Sequence, residues 1–446
     1  MQLEDHSKVS FDVLGQQLPA IQAALREDGL DGWLLYDLHA RNPVAGRLLG
    51  LGELSRRYFV LIPADGEPLA VTHGIEQMPW LHWPWQSQSY VAWPELDQRL
   101  ASLVGGRKVA MEISKADAVP AVDMVPAGVL ELVRNAGADV VSSGGLITRF
   151  YSCWSEEGLA SHRRAGRVLA DVAREAFDHL AEAISQGEEM TEGELKRWLL
   201  AQLEVRGAGV GADTIVANGV NAANPHYETG DVGATFQRGD VVLIDLWSKE
   251  RDDAIYADQT WMGYLGATVP DRVQALWEAI RDGRDAAVAY LEERWGSAPI
   301  QGYEVDDVTR RVIEERGYGQ YFIHRTGHSI DEDTHGMGPN IDNLETHEVR
   351  ELIPGVGFSI EPGIYIPDEV GLRTEINVYV SEKGPVVSSP DMQAEIFTLL
   401  EEGDGRRAAQ IGRRRPSLRV ADRPTGRGVE PWIGRRIERP RCTSWA

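Results

Sequence analysis

Residues 241–261 read VVLIDLWSKERDDAIYADQTW, an apolar run, a charged stretch around Arg251, and a second hydrophobic run. This pattern predicts two strands joined in a hairpin. A hairpin centred on Arg251 and Asp252 would place Asp245 directly opposite Asp258, with Cβ atoms roughly 4.5–5.5 Å apart. At this distance, two half-buried carboxylates repel each other unless a proton or a cation lies between them.

A second pair of acids repeats this arrangement further along the chain. Glu361 follows the apolar run 357–360, and Glu375 precedes the apolar run 376–380. The loop 367–371 lies between them, and residue 368 is their midpoint, so the two carboxylates should face each other on adjoining strands. Each acid alone would more often be structural, whereas two such pairs in one domain indicate a metal site.

Histidines accompany the acids. His324 and His328 lie where an apolar run enters a glycine turn, His335 follows seven residues later, and His226 precedes the Asp245 strand. A lone histidine is usually a hydrogen-bonded structural residue, but the grouping with four strand carboxylates favours function. Four carboxylates and one imidazole form an oxygen-rich set without thiolates, suited to two divalent ions such as manganese, cobalt or zinc.

The charge of the chain is unevenly distributed. Among 446 residues, 69 are acidic and 45 basic, for a formal net charge of −24. Residues 405–446 hold 12 Arg and three acids, a net charge of +9, which leaves −33 for the rest. We expect this arginine-rich tail to be disordered, either as an arm for nucleic acid or an acidic partner or as a segment without function. The acidic body disfavours nucleic-acid binding.

Composition limits the remaining classes. Cys153 and Cys442 are the two cysteines, so neither a disulfide framework nor a thiolate metal site is available. No run approaches the ~18 apolar residues of a membrane span. The first residues carry acids and no apolar core, so no cleaved export signal is expected. We therefore expect a cytoplasmic protein without a membrane partner.

The first 150 residues alternate helical patterns with short apolar runs, which predicts an α/β domain with a central sheet. The tryptophan-rich stretch 80–93 would either pack against that sheet or form a lip over a binding cleft. A long helical pattern over 157–184 leads into a second domain. The expected divisions are residues 1–154, 155–404 and 405–446.

The acids and histidines resemble the pita-bread metallopeptidases, the group of aminopeptidase P, prolidase, methionine aminopeptidase and creatinase. The phrases HRTGH (324–328), IEPGIY (360–365) and LRTE (372–375) are similar to motifs of that family. The resemblance implies an α+β protein with a creatinase-type α/β N-terminal domain, residues 1–154, and a pita-bread catalytic domain, residues 155–404. It also implies a homodimer.

The resemblance further implies a role for each matching residue. Asp245 would bind one ion, Asp258 and Glu375 would bridge two, and His328 and Glu361 would complete the second site. Glu361 would also carry the proton from water to the leaving amine. The other implied catalytic residues would hold substrate, stabilise the oxyanion or orient the acids; they are His226, His335, His324 and Arg373, with Tyr365 as a hydrogen-bonding neighbour.

The implied protein is a dinuclear aminopeptidase that acts on peptides with proline in second position and removes the N-terminal residue ahead of that proline. Manganese is the first choice of metal, and cobalt and zinc are the others. The alternatives are an Xaa-Pro dipeptidase (prolidase), a non-peptidase hydrolase of amide or amidino compounds, and a silent binding protein on the same fold. Creatinase-like members do not need the metal ligands and silent members tend to lose them, whereas all five are present here.

Four positions depart from the family pattern. Trp247 lies where a glycine is usual, and Gly336 where an acid is usual. The acids at 331–333 would either select a positively charged substrate group or form a solvated turn. Prolidases place an arginine shortly after the His335 position to hold the free carboxylate of a dipeptide. This chain has residues 337–340, MGPN, at that place, which argues against the dipeptidase.

Overall fold

The computed structural model describes residues 10–401, so the predicted tail over 405–446 lies outside the described residues. The first part of the chain forms a six-stranded sheet in the order β4-β3-β2-β1-β5-β6. Its pairs are antiparallel from β1 to β3 and parallel elsewhere. The strands are β1 (Gly32–Asp37), β2 (Tyr58–Pro63), β3 (Leu69–His73), β4 (Gln86–Tyr90), β5 (Lys108–Met111) and β6 (Asp139–Ser142).

Five helices cover both faces of this sheet, because β1 and β2 are buried along their whole length and need apolar cover on each side. Apolar residues of α1, α2 and α5 pack on one face, and those of α3 and α4 on the other. The helices are α1 (Asp12–Glu27), α2 (Pro43–Leu49), α3 (Trp93–Val104), α4 (Ala127–Asn135) and α5 (Gly144–Phe150).

The tryptophan-rich stretch belongs mainly to the core of this first part. Trp80 and Trp83 are buried and contact Phe11, with ring centroids 5.9 and 5.0 Å away. The packing interpretation therefore holds for these two side chains. Trp93, at the start of α3, is 71% exposed.

Two helices, α6 (Glu156–Gln186) and α7 (Glu192–Val205), open the second part and pack on a four-stranded sheet in the order β16-β9-β8-β7. A second four-stranded sheet has the order β10-β11-β14-β15, and β12 and β13 form a hairpin. The elements after α7 are β7 (Val210–Asn218), β8 (Val241–Lys249), β9 (Ala257–Tyr264), α8 (Asp271–Arg294), α9 (Gly302–Glu315), β10 (Ser329–Ile330), β11 (Gly357–Ile360), β12 (Gly363–Ile366), β13 (Val370–Arg373), β14 (Ile376–Ser381), β15 (Gly384–Val387) and β16 (Phe397–Thr398).

The β8–β9 hairpin exists, but the predicted register was wrong by two residues. Asp245 pairs with Thr260, and Asp258 pairs with Trp247. The chain turns one residue later than expected, and Nζ of Lys249 donates to the carbonyl oxygens of Asp252 at 2.7 Å and Glu332 at 2.6 Å beside this turn. A two-residue shift preserves the face of every side chain, so both acids still project from one face of the sheet.

The second acidic pair has the predicted register. Ile360 of β11 pairs with Ile376 of β14, and Gly363 of β12 pairs with Arg373 of β13. Glu361 and Glu375 follow and precede these paired strands and lie across from each other. The two sheets meet where the Asp258 N–H donates to Oδ1 of Asn377 at 3.0 Å.

The two parts of the chain are joined by a buried hydrogen bond and by a partly exposed ion pair. Nε1 of Trp154 donates to the carbonyl oxygen of Ile330 at 2.7 Å, and Arg47 pairs with Glu332 at 2.6 Å. The Trp154 ring lies against β11, where a Cβ on Gly357 would come within 1.9 Å of it. No helix within residues 10–401 combines the length and apolarity required to cross a membrane.

Candidate metal centre

The acids and histidines singled out in the sequence surround one cavity of about 380 Å³. Its lining contains all nine proposed site residues, although they are spread over 150 positions of the chain. These residues are His226, Asp245, Asp258, His324, His328, His335, Glu361, Arg373 and Glu375.

Three buried side chains at the centre of the cavity form a group of ligand atoms. Asp258, His328 and Glu375 each offer one atom, and these atoms lie within 4.8 Å of one another. Nδ1 of His328 donates to the carbonyl oxygen of Ser329 at 3.1 Å, which turns Nε2 toward the acids. That Nε2 lies 3.7 Å from Oδ2 of Asp258 and 3.2 Å from Oε1 of Glu361.

Three of the proposed carboxylate ligands each have an oxygen without a partner among the described residues. Oδ1 of Asp245, Oδ1 of Asp258 and Oε1 of Glu375 are buried and accept no hydrogen bond from the described residues. Burial, reinforced by the neighbouring carboxylates, raises the pKa of Asp258 and Glu375 well above the usual range. Burial also lowers the pKa of His328 to about 3, so its imidazole is neutral. Unpaired acid oxygens and a neutral imidazole fit divalent cations.

Arg373 is the buried cation that offsets part of this negative charge. Its Nη2 donates to Oδ2 of Asp245 at 2.5 Å, and its Nε donates to Oγ1 of Thr260 at 3.1 Å. Its Nη1 donates to the hydroxyl of Tyr365 at 3.0 Å. These contacts orient Asp245 on β8 and give each of the three guanidinium nitrogens of Arg373 a protein partner.

Three polar residues that the sequence reasoning missed hold the ligands in place. Oγ1 of Thr260 donates to Oε2 of Glu375 at 2.9 Å. Oγ of Ser359 accepts from the His328 N–H and donates to Oε1 of Glu361 at 3.0 Å. Their sequence signal is weak, because a serine or threonine on a strand is common. The third residue is Asn377, which holds the backbone of Asp258.

His324 lies behind the ligands. Its Nδ1 donates to the carbonyl oxygen of Arg325 at 2.7 Å, and its Nε2 accepts from the hydroxyl of Tyr365 at 2.9 Å. Burial lowers the pKa of His324 to about 4. Both ring nitrogens are engaged by protein groups, so this geometry suits a residue that supports Tyr365 and, through it, Arg373.

His226 and His335 lie at the exposed rim of the cavity. Neither ring forms a hydrogen bond with the described residues, and the His335 ring lies edge-on to His328 with centroids 4.4 Å apart. Both imidazoles are therefore available to a bound substrate.

A buried acid positions the loop that carries His226. Glu192, at the start of α7, accepts hydrogen bonds from the Asn218 and Ala234 N–H groups at 2.8 and 2.7 Å. It also accepts from the Tyr227 hydroxyl at 2.8 Å. The helix start also holds a capping box at Thr191, but nothing in the sequence indicated this second use of it.

The acidic segment after His328 forms the turn that carries His335. Asp331 is 2% exposed and accepts from the N–H groups of Asp333 and Met337, both at 2.8 Å. Burial raises the pKa of Asp331 to about 6. A Cβ on Gly336 would lie 2.6 Å from Oδ2 of Asp331. The segment is a turn, as one interpretation held, but Asp331 is buried rather than solvated, and it occupies the space that a side chain at 336 would need.

The remaining lining residues were not proposed as site residues. Trp247, Ile215 and Pro225 give the cavity an apolar wall, while Arg325 and Glu345 bring charge to it. Trp247 had a sequence signal, since it replaces a usual glycine. Arg325 lay inside the HRTGH motif without being assigned a role.

The match of residues 160–382 to the model of metallopeptidase family M24 covers half of the chain and contains all five proposed ligands. The chain belongs to metallopeptidase family M24. This M24 chain is 35% identical over 224 residues to an Xaa-Pro dipeptidase of Lactobacillus delbrueckii subsp. lactis, covering 50% of this chain and 55% of that one. It is 26% identical over 403 residues to a probable dipeptidase PepE of Mycobacterium bovis, covering 84% and 94%.

The M24 fold extends to the N-terminal part. The crystal structure of dipeptidase PepE from Mycobacterium ulcerans superposes with a TM-score of 0.66 at 21% identity, covering 88% of this chain and 99% of that one. The expected α+β architecture, with its pita-bread fold, is confirmed. The chain spans about half the length of the Xaa-Pro dipeptidases that it matches.

Proposed function

We propose that this M24 protein is a metal-dependent peptidase that hydrolyses the bond between an N-terminal residue and a following proline. The observation that carries the proposal is the group of Asp258, His328 and Glu375, whose unpaired oxygens face a cavity that also contains Glu361. The names of its relatives support the proline specificity.

The residues proposed to hold metal are Asp245, Asp258, His328, Glu361 and Glu375, and we propose two ions, manganese first and cobalt or zinc as the others. When bound, such ions polarise the scissile carbonyl and lower the pKa of a water molecule toward neutrality. The ligand set contains four carboxylates and one imidazole, which favours hard or borderline cations over soft ones.

The other side chains would bind and orient the substrate and move protons. Glu361 is 14% exposed and its Oε2 accepts no hydrogen bond from the described residues, so it could take a proton from the attacking water and pass it to the leaving amine. The open imidazoles of His226 and His335 would hold the substrate carbonyls and stabilise the oxyanion. Arg373 and His324 would keep the acids and Tyr365 in position.

Substrate length distinguishes an aminopeptidase from a dipeptidase, and catalytic activity distinguishes both from a silent binding protein. An aminopeptidase would release the first residue from longer peptides, and a dipeptidase would accept only Xaa-Pro. A silent binding protein or an amidino hydrolase has no specific observation in its favour, because every ligand is present and grouped.

Metal analysis combined with Asp258→Asn tests the proposal. We expect purified wild-type protein to bind divalent metal and cleave Xaa-Pro peptides, and Asp258→Asn to lose at least ~10³-fold in kcat. Asp178→Asn, an exposed carboxylate on α6, is the matched control and should retain full activity. Wild type without metal or without cleavage of any Xaa-Pro peptide would refute the proposal.

We also propose a cytoplasmic homodimer with domain limits at residues 1–154 and 155–404. Light scattering coupled to size-exclusion chromatography, at several concentrations, would give the oligomeric state. A constant monomer mass would contradict the dimer.

A further inference from the structure

Arg325 brings a positive charge to the catalytic cavity without a counterion. The side chain lines the cavity and is half-buried. Within residues 10–401, no carboxylate lies within 4.0 Å of the guanidinium, and the guanidinium donates no hydrogen bond. Its backbone N–H donates to Oε1 of Glu345 at 3.0 Å, so the one acid beside Arg325 holds the main chain and not the charged group.

The other arginines near the cavity are committed to protein partners. Arg373 donates to Asp245, Thr260 and Tyr365. Arg350 is buried, pairs with Glu348 at 2.6 Å, and donates to the carbonyl oxygens of Met337 at 2.6 Å and Gly338 at 2.7 Å. Of the two arginines that line the cavity, Arg325 is thus the one whose five side-chain N–H donors have no partner within residues 10–401 and can bind a ligand.

The position of Arg325 is close to the reacting centre. It follows His324 and lies three residues before the proposed ligand His328. His328 and His335 line the same cavity as Arg325, so a ligand held by the guanidinium would lie beside the proposed metal site.

We propose that Arg325 binds the free α-carboxylate of the proline in an Xaa-Pro dipeptide, and that the protein is on this account a dipeptidase. The inference rests on the proposed function. A guanidinium matches a carboxylate with two parallel hydrogen bonds, and a half-buried one gains most from such a partner. In a dipeptide this carboxylate is one residue from the scissile bond, while a longer peptide presents a neutral amide there.

This role of Arg325 accounts for the absence, at residues 337–340, of the arginine that prolidases use to hold a dipeptide. Prolidases carry an arginine near that position that holds the free carboxylate of the dipeptide. In this chain the segment 337–340 contains no positively charged residue. Its backbone carbonyls at Met337 and Gly338 are bound by Arg350 instead. The carboxylate would be held from the HRTGH segment on the other side of His328, so a missing arginine at 337–340 does not exclude dipeptide substrates.

The test compares Ala-Pro, Ala-Pro-amide and Ala-Pro-Ala as substrates of the metal-loaded full chain. We expect wild type to prefer Ala-Pro, and Arg325→Gln to lower kcat/KM for Ala-Pro by about 10- to 150-fold, mainly through KM. The same variant should change kcat/KM for the amide by less than about threefold. Arg325→Lys should recover part of the loss. Arg311→Gln, an exposed arginine of α9 without an ion pair among the described residues, should behave as wild type.

The outcomes separate this inference from the proposed function. Equal losses on all three substrates, or no loss on Ala-Pro, would overturn the role of Arg325 while leaving an Xaa-Pro peptidase. Preference of wild type for Ala-Pro-Ala over Ala-Pro would overturn the dipeptidase assignment. Absence of cleavage of all three by the metal-loaded wild type would overturn both.

Discussion

Nη2 of Arg373 lies 2.5 Å from Oδ2 of Asp245, and Oδ1 of the same carboxylate is buried without a protein partner. One oxygen of Asp245 is therefore fixed by an arginine, and the other has no partner among the described residues and is available to a metal ion. The fork of a guanidinium can reach Asp245, Thr260 and Tyr365 together, which a single ammonium group cannot do.

Arg373→Lys should therefore weaken metal binding. We expect the metal dissociation constant to rise by about 10- to 100-fold, because residues that orient metal ligands contribute on this scale. Titration calorimetry on metal-free protein measures the change. Arg272→Lys, which alters a half-exposed pair with Glu369, serves as control and should bind metal normally. Equal affinities of wild type and Arg373→Lys would contradict the orienting role.

Trp247 should limit the size of the substrate group that fits beside Asp258. The two residues are paired across β8 and β9, and Trp247 lines the cavity with Ile215. Trp247→Ala should raise kcat/KM for a bulky first residue relative to alanine by about tenfold, since space in an apolar pocket discriminates on that scale. Trp247→Phe should give an intermediate ratio. An unchanged ratio in Trp247→Ala would place the indole outside the substrate path.

Glu192→Gln should lower both stability and activity. The amide NH2 would face N–H donors that now bond to a carboxylate, which costs about 2–3 kcal/mol of unfolding free energy. The loop with His226 would lose its anchor at Asn218 and Ala234, so kcat should fall as well. Urea unfolding and steady-state kinetics measure both effects. Glu194→Gln on the same helix alters only the capping box, and its kcat should be unchanged.

Acid should destabilise the protein through His162. This side chain is 1% exposed, donates from Nδ1 to the Tyr256 carbonyl oxygen, and accepts at Nε2 from Ser388. Burial lowers its pKa to about 4. Between pH 6.5 and 4 the unfolded chain binds a proton that the native chain does not, so stability is full above pH 6.5 and decreases below it.

The expected loss from this residue is about 3 kcal/mol at pH 4. Unfolding free energies of metal-free protein at pH 7.5, 6, 5 and 4.5 would show it. His162→Gln should begin less stable at pH 7.5 and show a shallower decline toward acid. Parallel pH profiles for wild type and variant would assign the acid sensitivity to other groups.

Local patterns predicted several elements of the fold. The helical pattern over 157–184 became α6, and the midpoint at residue 368 gave the correct register for Glu361 and Glu375, because a short loop leaves little freedom of register. The β8–β9 register was not accessible in the same way. Its connection is longer, and Lys249 at its start contacts the carbonyl oxygen of Glu332, a residue 83 positions away.

The candidate site shows the same difference between residues that the sequence identified and residues that it did not. The proposed metal ligands are recognisable because acids and histidines in apolar surroundings are costly unless they serve a function. Their supports are ordinary polar residues whose importance arises only from proximity in the fold. Thr260 and Glu375 are 115 positions apart, and Asp258 and Asn377 are 119 apart. No spacing rule connects such pairs.

The contact between Trp154 and Gly357 bears on how this protein could have diversified. The match to the family model begins at residue 160, yet the indole that fills the space beside Gly357 on β11 precedes it. An exchange of the first part of the chain would keep this contact only if the incoming segment also supplied a flat aromatic ring at this point. The boundary beside residue 154 is therefore a poor place at which to join unrelated segments.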